Sequence, residues 1–444
     1  MELPQTRRSS IGGPRASILE PSEPDRANHA EVIVVGAGPG GSAAAAFCAR
    51  QGLDVLLLEK SGFPREKVCG DGLTPRAVRM LTRLGIDTSA SAGWQHSRGL
   101  RVYGGRRGPF EFPWPVLTEF PGYGLVCPRS VFDDLLAGTA AAAGARLYTG
   151  VKVTDAIRHD RSGRVIGVTD ARGRSYRAPV VIAADGSSAR LALKVGRERH
   201  PGRPMGVAVR SYYTSPRHDM AWLESWLELW DGRPGDSNLL PGYGWIFPLG
   251  DGTVNAGLGM LNTGAVFAKT DYRQLMRRWL DGTPEEWGYR EANRLEPIRG
   301  AALPMAFDRG PLYADGLLLV GDAAGMVSPF NGEGISYAME AAEIAARQVA
   351  DARARGFGSR GAELALRGYQ SAMRAEWGGY FRLGTIFVKL IGNPRIMRLC
   401  TNHGLPRPGL MRLVNKLLAH LTDTRGGDFA DRIINLLTRF VPSA

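Results

Sequence analysis

The 444-residue sequence has few of the residues that build disulfide frameworks or metal sites. It contains only four cysteines, and they are widely scattered: Cys48, Cys69, Cys127 and Cys400. That spacing excludes a disulfide framework and a cysteine zinc site. The seven histidines also lack a spacing typical of a metal site or a catalytic triad. We therefore predict no metal ion.

Long apolar runs are absent as well. No stretch approaches the ~18 uncharged apolar residues of a transmembrane helix, so none is predicted. Residues 1–29 mix Arg, acidic residues, Pro and Ser without an apolar core. The pair Arg7 and Arg8 is not followed by the hydrophobic segment of an export signal. These features predict a disordered tail at 1–29 on a cytoplasmic protein.

The net charge of +13 is unevenly distributed. Residues 351–444 hold 15 Lys and Arg against 6 Asp and Glu, a net charge of +9. No nucleic-acid-binding motif accompanies this charge, so a nucleic-acid partner is not predicted. Three segments place basic residues beside apolar ones: Phe381–Leu399, Met411–Leu421 and Ile433–Phe440. Such helices either cap a domain or contact an anionic membrane surface, and both interpretations stay open.

The most informative segment is Glu31–Lys60. It begins with a β-branched run, Val32–Val35, and ends with a second apolar run, Val55–Leu58, followed by Glu59. Between them lie three glycines with G-x-G-x-x-G spacing: Gly36, Gly38 and Gly41. This is the strand, turn, helix, strand and acid pattern that binds an adenine dinucleotide. Glu59, 18 residues after Gly41, is predicted to accept hydrogen bonds from the adenosine ribose.

Two further motifs indicate which dinucleotide is bound. The buried-strand patterns Val180–Ala184 and Leu317–Val320 are followed by Asp185-Gly186 and Gly321-Asp322. Ligands of open α/β sheets gather at such strand ends. Asp322 can bind ribityl hydroxyls, and the backbone at Gly332 and Gly334 can approach a flat ring. Together with the glycine turn, these motifs predict FAD rather than NAD.

The order of these motifs, with Arg129-x-x-x-Asp133 between them, resembles the FAD-dependent monooxygenase superfamily, the para-hydroxybenzoate-hydroxylase-like group. Within it, the segments 67–77 (KVCGDGLTPRA) and 241–248 (PGYGWIFP) resemble the geranylgeranyl reductase family. The similarity runs from about residue 30 to about residue 420. It is especially close to the actinobacterial menaquinone reductases, which saturate a double bond in a polyprenyl tail.

This resemblance implies an α/β fold of glutathione-reductase type, with an antiparallel-sheet substrate domain and a helical C-terminal region. We expect the FAD-binding domain at 30–200 and 299–352, the substrate domain at 201–298 and the basic helical region at 353–444.

The family motifs also suggest residues near the flavin. Cys69 and Gly70 lie in the loop after the second strand, and Cys69 is a proton donor, a packing residue or a flavin contact. Three aromatic residues alternate along one strand and so share a face: Tyr243, Trp245 and Phe247. They form either the wall of an isoprenoid tunnel or an ordinary sheet core. Arg129 either approaches the flavin, as the resemblance implies, or is a charge at a helix start.

The resemblance implies reduction of isolated double bonds in a polyprenyl chain such as that of menaquinone. Because no second G-x-G-x-x-G follows a predicted strand, the electrons are expected from transiently bound NAD(P)H or from a protein donor. One alternative is a flavin monooxygenase or halogenase, although Tyr243-x-Trp245-x-Phe247-Pro248 differs at two positions from the halogenase Trp-x-Trp-x-Ile-Pro segment. The other is a non-enzymatic prenyl-binding escort protein, which needs no flavin.

Overall fold

The computed structural model describes residues 11–15, 28–262 and 267–440. Of the predicted disordered tail, residues 1–10 and 16–27 lie outside the described residues. The segment 11–15 differs from that expectation, because Ile11 is buried and Arg15 pairs with Asp134. These five residues therefore pack on the body of the protein.

The described residues form 21 strands and ten α-helices. The strands are β1 (Val32–Val35), β2 (Val55–Leu58), β3 (Gly72–Leu73), β4 (Gln95–Ser97), β5 (Gly99–Gly104), β6 (Arg107–Pro113), β7 (Gly124–Val126), β8 (Arg146–Tyr148), β9 (Val153–Arg158), β10 (Val165–Asp170), β11 (Ser175–Arg177), β12 (Val180–Ala183), β13 (Met205–Thr214), β14 (Trp222–Trp226), β15 (Leu229–Trp230), β16 (Leu239–Leu240), β17 (Gly242–Pro248), β18 (Thr253–Leu261), β19 (Arg299–Pro304), β20 (Tyr313–Ala314) and β21 (Leu317–Leu319). The helices are α1 (Pro39–Arg50), α2 (Pro75–Arg83), α3 (Arg129–Ala142), α4 (Arg190–Lys194), α5 (Tyr272–Asp281), α6 (Ile335–Ala354), α7 (Arg360–Ile391), α8 (Pro394–Leu399), α9 (Pro408–Leu418) and α10 (Phe429–Phe440).

A six-stranded sheet carries the glycine turn. Its order is β20–β21–β12–β1–β2–β8, and all neighbours are parallel except β20 and β21. Strands β1, β2 and β12 are buried at every position, as expected for a parallel sheet covered on both faces. Their carboxyl ends meet at one edge, which is where ligands of such sheets bind.

Helix α1 packs closely on this sheet because its first turn is built from small residues. A Cβ atom added at Gly41 would lie 1.8 Å from the carbonyl oxygen of Gly36, so no side chain fits there. The following residues, Ala43–Ala46, are fully or almost fully buried. The small residues at the start of α1 therefore allow the helix to begin close to the ends of β1 and β12.

A seven-stranded sheet lies beside the first, in the order β19–β13–β18–β17–β14–β5–β6. Its neighbours are antiparallel apart from β5 and β14. Helix α5 covers one face, where Leu275, Met276 and Leu280 join the hydrophobic core of this sheet. Strands β5 and β6 come from residues 99–113, so the sheet combines that segment with residues 205–304. The domain boundaries at 200 and 298 stay a prediction.

From Ile335 to Phe440 the chain is mainly helical. Helices α6 and α7 pack on the first sheet through buried residues that include Tyr337, Tyr369 and Trp377. Among the helices of the described residues, none has both the length and the apolar character needed to cross a membrane. The α/β FAD-binding fold with an antiparallel sheet and a helical C-terminal region is confirmed.

Candidate active site

The adenosine end of the site lies where β1 and β2 finish. Gly36, at φ +97°, turns the chain into α1, whose first turn has no side-chain cap for its backbone N–H groups. Glu59 follows β2 directly and is 3% exposed. One of its oxygens accepts a hydrogen bond from the Ala37 N–H at 2.8 Å, and the other accepts from the Ser61 N–H at 3.0 Å. A carboxylate has about four acceptor positions, so Glu59 retains two for a ribose diol.

Arg65 is a component of this region that the sequence analysis missed. Its guanidinium lies 3.7 Å from the Glu59 carboxylate and 3.0 Å from the buried carboxylate of Asp133. It also lies 3.5 Å from the position that a Cβ atom would take on Gly38. Arg65 therefore brings positive charge to the helix start, where a pyrophosphate would sit. A basic residue six positions after the acid at the end of β2 is the signal that could have identified it.

Asp185 and Asp322 lie at the ends of β12 and β21, which are neighbours in the sheet. One oxygen of Asp185 accepts from the Leu191 N–H at 3.1 Å, while the other is buried and has no partner among the residues that the structure describes. Burial raises the pKa of the Asp185 carboxyl group. Asp322 lies beside Gly334, since a Cβ atom there would be 3.4 Å from the Asp322 carboxylate. Both acids therefore offer acceptors at the same sheet edge.

The loop 69–72, which we call the Cys69 loop, lies against strand β17 of the seven-stranded sheet. A Cβ atom added at Gly70 would lie 3.1 Å from the ring of Phe247 and 3.2 Å from the Trp245 indole nitrogen. The loop continues into β3, which pairs with β7. The predicted site residues Cys69 and Gly70 thus lie against the predicted aromatic strand.

Arg129 contacts the Cys69 thiol from the first turn of α3. Its guanidinium forms two hydrogen bonds with Asp133, at 2.7 and 2.8 Å, one helical turn later. Burial raises the pKa of the Cys69 thiol above its ordinary value, and the positive charge of Arg129 offsets part of that rise. The thiol is therefore protonated at neutral pH, and the positive charge of Arg129 would stabilise the thiolate if the proton were lost.

Three aromatic side chains form a row along β17. The ring centroids of Tyr243 and Trp245 are 6.1 Å apart, and those of Trp245 and Phe247 are 6.4 Å apart. Trp245 is 5% exposed and donates to the Asn255 side chain at 2.9 Å, while Tyr243 and Phe247 are half-buried. Trp245 thus packs like a core residue, whereas Tyr243 and Phe247 form the partly exposed part of the aromatic row.

Tyr243 links this row to the glycine loop of the flavin site. Its hydroxyl donates to the Asn331 carbonyl at 2.7 Å and lies 3.5 Å from the position of a Cβ atom on Gly332. The adjacent Glu333 accepts from the Thr74 hydroxyl at 2.7 Å, and burial raises the pKa of its carboxyl group. Residues from three distant parts of the sequence therefore meet around one space.

The predicted site residues separate into two neighbouring groups. The first group lies near the glycine turn: Gly36, Gly38, Gly41, Glu59 and Asp185. The second lies around the Cys69 loop and the Gly332 loop: Cys69, Gly70, Arg129, Tyr243, Trp245, Asp322, Gly332 and Gly334. Their individual roles stay predictions. In the part of the chain that the structure describes, no three His, Cys, Asp or Glu residues gather to hold a metal ion.

These residues fit FAD. At Gly38 a Cβ atom would have the Arg65 guanidinium, at 3.5 Å, as its nearest neighbour, so the backbone there is open to a ligand, and the second Asp185 oxygen supplies a buried acceptor. Glu59, Arg65 and the start of α1 match a ribose and a pyrophosphate in charge and hydrogen bonding.

Comparison with known proteins agrees with this assignment. A family model described as an FAD binding domain matches residues 29–361. The menaquinone reductase of Mycobacterium tuberculosis H37Rv is 38% identical over 404 residues, covering 91% of this chain and 94% of that protein. The digeranylgeranylglycerophospholipid reductase 1 of Methanosphaera stadtmanae is 31% identical and covers 72% of this chain and 75% of that protein.

Solved structures share the fold. A geranylgeranyl bacteriochlorophyll reductase-like protein from Thermoplasma acidophilum superposes with a TM-score of 0.73 at 21% identity, covering 92% of this chain and 99% of that one. A flavin-dependent brominase gives a TM-score of 0.70 at 23% identity, covering 93% and 98%. Since the family model and the relatives span most of the sequence, this chain belongs to the geranylgeranyl reductase family of FAD-dependent oxidoreductases.

Proposed function

We propose that this protein saturates an isolated double bond in the isoprenoid tail of menaquinone. The observation that carries the proposal is the 38% identity to a menaquinone reductase over 91% of the chain. Support also comes from the thiol of Cys69, which lies beside an aromatic row suited to an apolar chain. FAD, when bound and reduced, supplies the hydride for such a reduction.

Cys69 donates the proton that completes the saturation. Its thiol keeps the proton at neutral pH because burial disfavours the thiolate. After the proton leaves, the Asp71 backbone N–H, 3.4 Å from the sulfur, and the Arg129 guanidinium stabilise the negative charge. The paired Asp133 keeps Arg129 in position.

The aromatic row holds the isoprenoid and excludes water. Tyr243 lies against the Gly332 loop through its hydrogen bond to Asn331, and the Phe247 ring lies against Gly70 of the Cys69 loop. An apolar wall favours a hydrocarbon chain and positions it without directional bonds. The proton donor and the double bond are thereby held together.

The electrons come from NAD(P)H that binds transiently or from a protein donor. Of the two G-x-G-x-x-G segments in the sequence, only Gly36–Gly41 follows a strand, and FAD binding uses it; the other, Gly356–Gly361, lies at the junction of helices α6 and α7. A second dinucleotide would therefore have to bind without a turn of this kind.

The alternative of a flavin halogenase rests on fold alone, because the brominase shares 23% of its sequence with this chain. The reductases share 31% and 38%. Mass spectrometry of quinones from cells with and without the gene tests the proposal. We expect menaquinone with two additional hydrogen atoms only when the gene is present, and identical quinones in both strains would contradict it.

We also propose that the enzyme attaches to an anionic membrane surface through α10. Four large apolar side chains on this helix are exposed by 44–78%: Phe429, Leu436, Leu437 and Phe440. Arg432 and Arg439 lie among them and are exposed as well. A helix with exposed aromatic residues flanked by arginine suits a lipid interface, where each basic residue contributes about 1 kcal/mol.

Vesicle sedimentation provides the test of this attachment. Binding should require anionic lipid, weaken with salt and fall when Phe429 and Phe440 are both changed to serine. The control is Leu193→Ser, since Leu193 is also exposed but lies in α4. Removal of all residues after 378 is unsuitable, because Tyr380 and Phe381 are buried in the core. Equal binding of the double variant, or binding to neutral vesicles alone, would contradict the proposal.

A further inference from the structure

Asp71, in the Cys69 loop, combines two features that a loop residue rarely has. Its side chain is completely buried, and its backbone has φ +65°, a left-handed conformation that favours glycine. The neighbouring positions in this loop, 70 and 72, are both glycine. Burial of a charged group and a left-handed backbone each oppose folding, so packing alone does not account for an aspartate here.

The Asp71 carboxylate joins the Cys69 loop to two strands of the seven-stranded sheet. One of its oxygens accepts from the Tyr212 hydroxyl of β13 and from the Asn255 side chain of β18, each at 2.7 Å. The Asn255 amide also donates to the Cys69 carbonyl at 2.9 Å, and its oxygen accepts from the Trp245 indole. The Asn255 side chain thus connects the Cys69 loop with the aromatic row.

We propose that Asp71 is a positioning residue: its carboxylate holds the Cys69 loop against the sheet through Tyr212 and Asn255, and its negative charge keeps the Cys69 thiol protonated. This inference rests on the proposed function, in which Cys69 donates a proton. Asp71 acts through the thiol, because its backbone N–H lies 3.4 Å from the sulfur while its carboxylate is engaged by the two strands.

The charges around the Cys69 thiol determine how its pKa would change if Asp71 were removed. Arg129 from α3 lowers the pKa of Cys69, while the Asp71 carboxylate raises it. Tyr243 from β17 is the third titratable neighbour, and it is neutral at physiological pH because burial raises its pKa. Arg210 and Arg129 also act on Asp71, whose pKa burial nonetheless raises to about 6. At neutral pH Asp71 is mainly ionised and therefore opposes ionisation of the thiol.

The test is the pH dependence of Cys69 alkylation by iodoacetamide in the FAD-loaded enzyme, followed by peptide mass spectrometry. Exposed Cys400 is the internal reference, and buried Cys48 and Cys127 report on unfolding. For Asp71→Asn we expect the midpoint of Cys69 alkylation to move down by about one pH unit, with Cys400 unchanged. An unchanged midpoint in the folded variant would overturn the proposal.

Tyr212→Phe tests the attachment and also serves if Asp71→Asn fails to fold. It removes one donor to the carboxylate but keeps the charge, so we expect faster Cys69 alkylation at its high-pH plateau. Tyr213→Phe, at the adjacent residue on the same strand, is the matched control and should behave as wild type. A Tyr212→Phe plateau equal to that of the control would overturn the attachment. Because no quinone is present, these outcomes are independent of the substrate: a failed reduction with a shifted midpoint would contradict only the proposed function.

The raised pKa of Asp71 predicts that the free energy of unfolding depends on pH. The folded state holds the Asp71 pKa near 6, above the ~3.9 of an unfolded chain, so folding favours the protonated carboxyl. The stability that protonation provides is therefore complete below about pH 4 and is lost as the pH rises to about 6. Asp71→Asn should lack this contribution to the pH dependence, which denaturant unfolding at several pH values measures. A pH profile identical to wild type would contradict burial of this charge.

Discussion

Glu59→Ala is expected to fold and to purify with much less than one FAD per chain. In the structure Glu59 accepts hydrogen bonds from the backbone of Ala37 and Ser61 and keeps free acceptors toward the space beside the glycine turn. Loss of a charge-assisted hydrogen bond to buried groups costs about 1.5–3 kcal/mol, or roughly tenfold to a hundredfold in affinity. The measurement is the ratio of flavin absorbance to protein after purification.

Glu31→Ala is the matched control. Glu31 lies immediately before β1, at the opposite end of the same sheet, and its carboxylate also accepts from a backbone N–H, that of Asp54. It should retain full FAD. A folded Glu59→Ala protein with full flavin would show that Glu59 only braces the turn, and the assignment of the adenosine site would be wrong.

Cys69→Ser is expected to slow reduction of the substrate by about a hundredfold or more, the usual contribution of a positioned proton donor. Serine preserves the size of the side chain, but its hydroxyl is a far weaker acid than a thiol. FAD content should remain normal, because Cys69 lies on the aromatic side of the site and away from Glu59. Single-turnover oxidation of the pre-reduced enzyme by substrate isolates this step.

Cys400→Ser should react like wild type, since Cys400 is exposed near α8. If Cys69→Ser also turns over at the wild-type rate, Cys69 is a packing residue or a flavin contact, and the proton comes from another group. A large loss of FAD would instead place the thiol against the cofactor.

The parts of the fold that the sequence predicts are those determined by neighbours in the chain. The sequence predicts buried strands at Val180–Ala184 and Leu317–Val320, and the structure has them at Val180–Ala183 and Leu317–Leu319. The runs Val32–Val35 and Val55–Leu58 form strands β1 and β2, as predicted. Glycine spacing, strand length and the acid after β2 are local patterns, so they can be read without the tertiary structure.

The parts it does not predict depend on contacts between distant residues. Asp71 and Tyr212 are 141 positions apart, and Thr74 and Glu333 are 259 apart, so no periodicity signals either pair. The sequence likewise predicts a substrate sheet within 201–298 but not the strands that residues 99–113 add to it. The alternation of aromatic residues predicts a shared face. Only the structure shows that Trp245 is buried and donates a hydrogen bond to Asn255.

The most direct test of the central claim uses the purified, FAD-loaded enzyme. The flavin is reduced chemically without oxygen, menaquinone is added in anionic vesicles, and the quinone is analysed by mass spectrometry. The predicted result is a product with two additional hydrogen atoms in the isoprenoid tail, formed about a hundredfold more slowly with Cys69→Ser. An unchanged quinone, while a shorter prenyl lipid is saturated, would contradict menaquinone as substrate. A product with an added oxygen atom, formed when air is admitted, would contradict the reductase assignment itself.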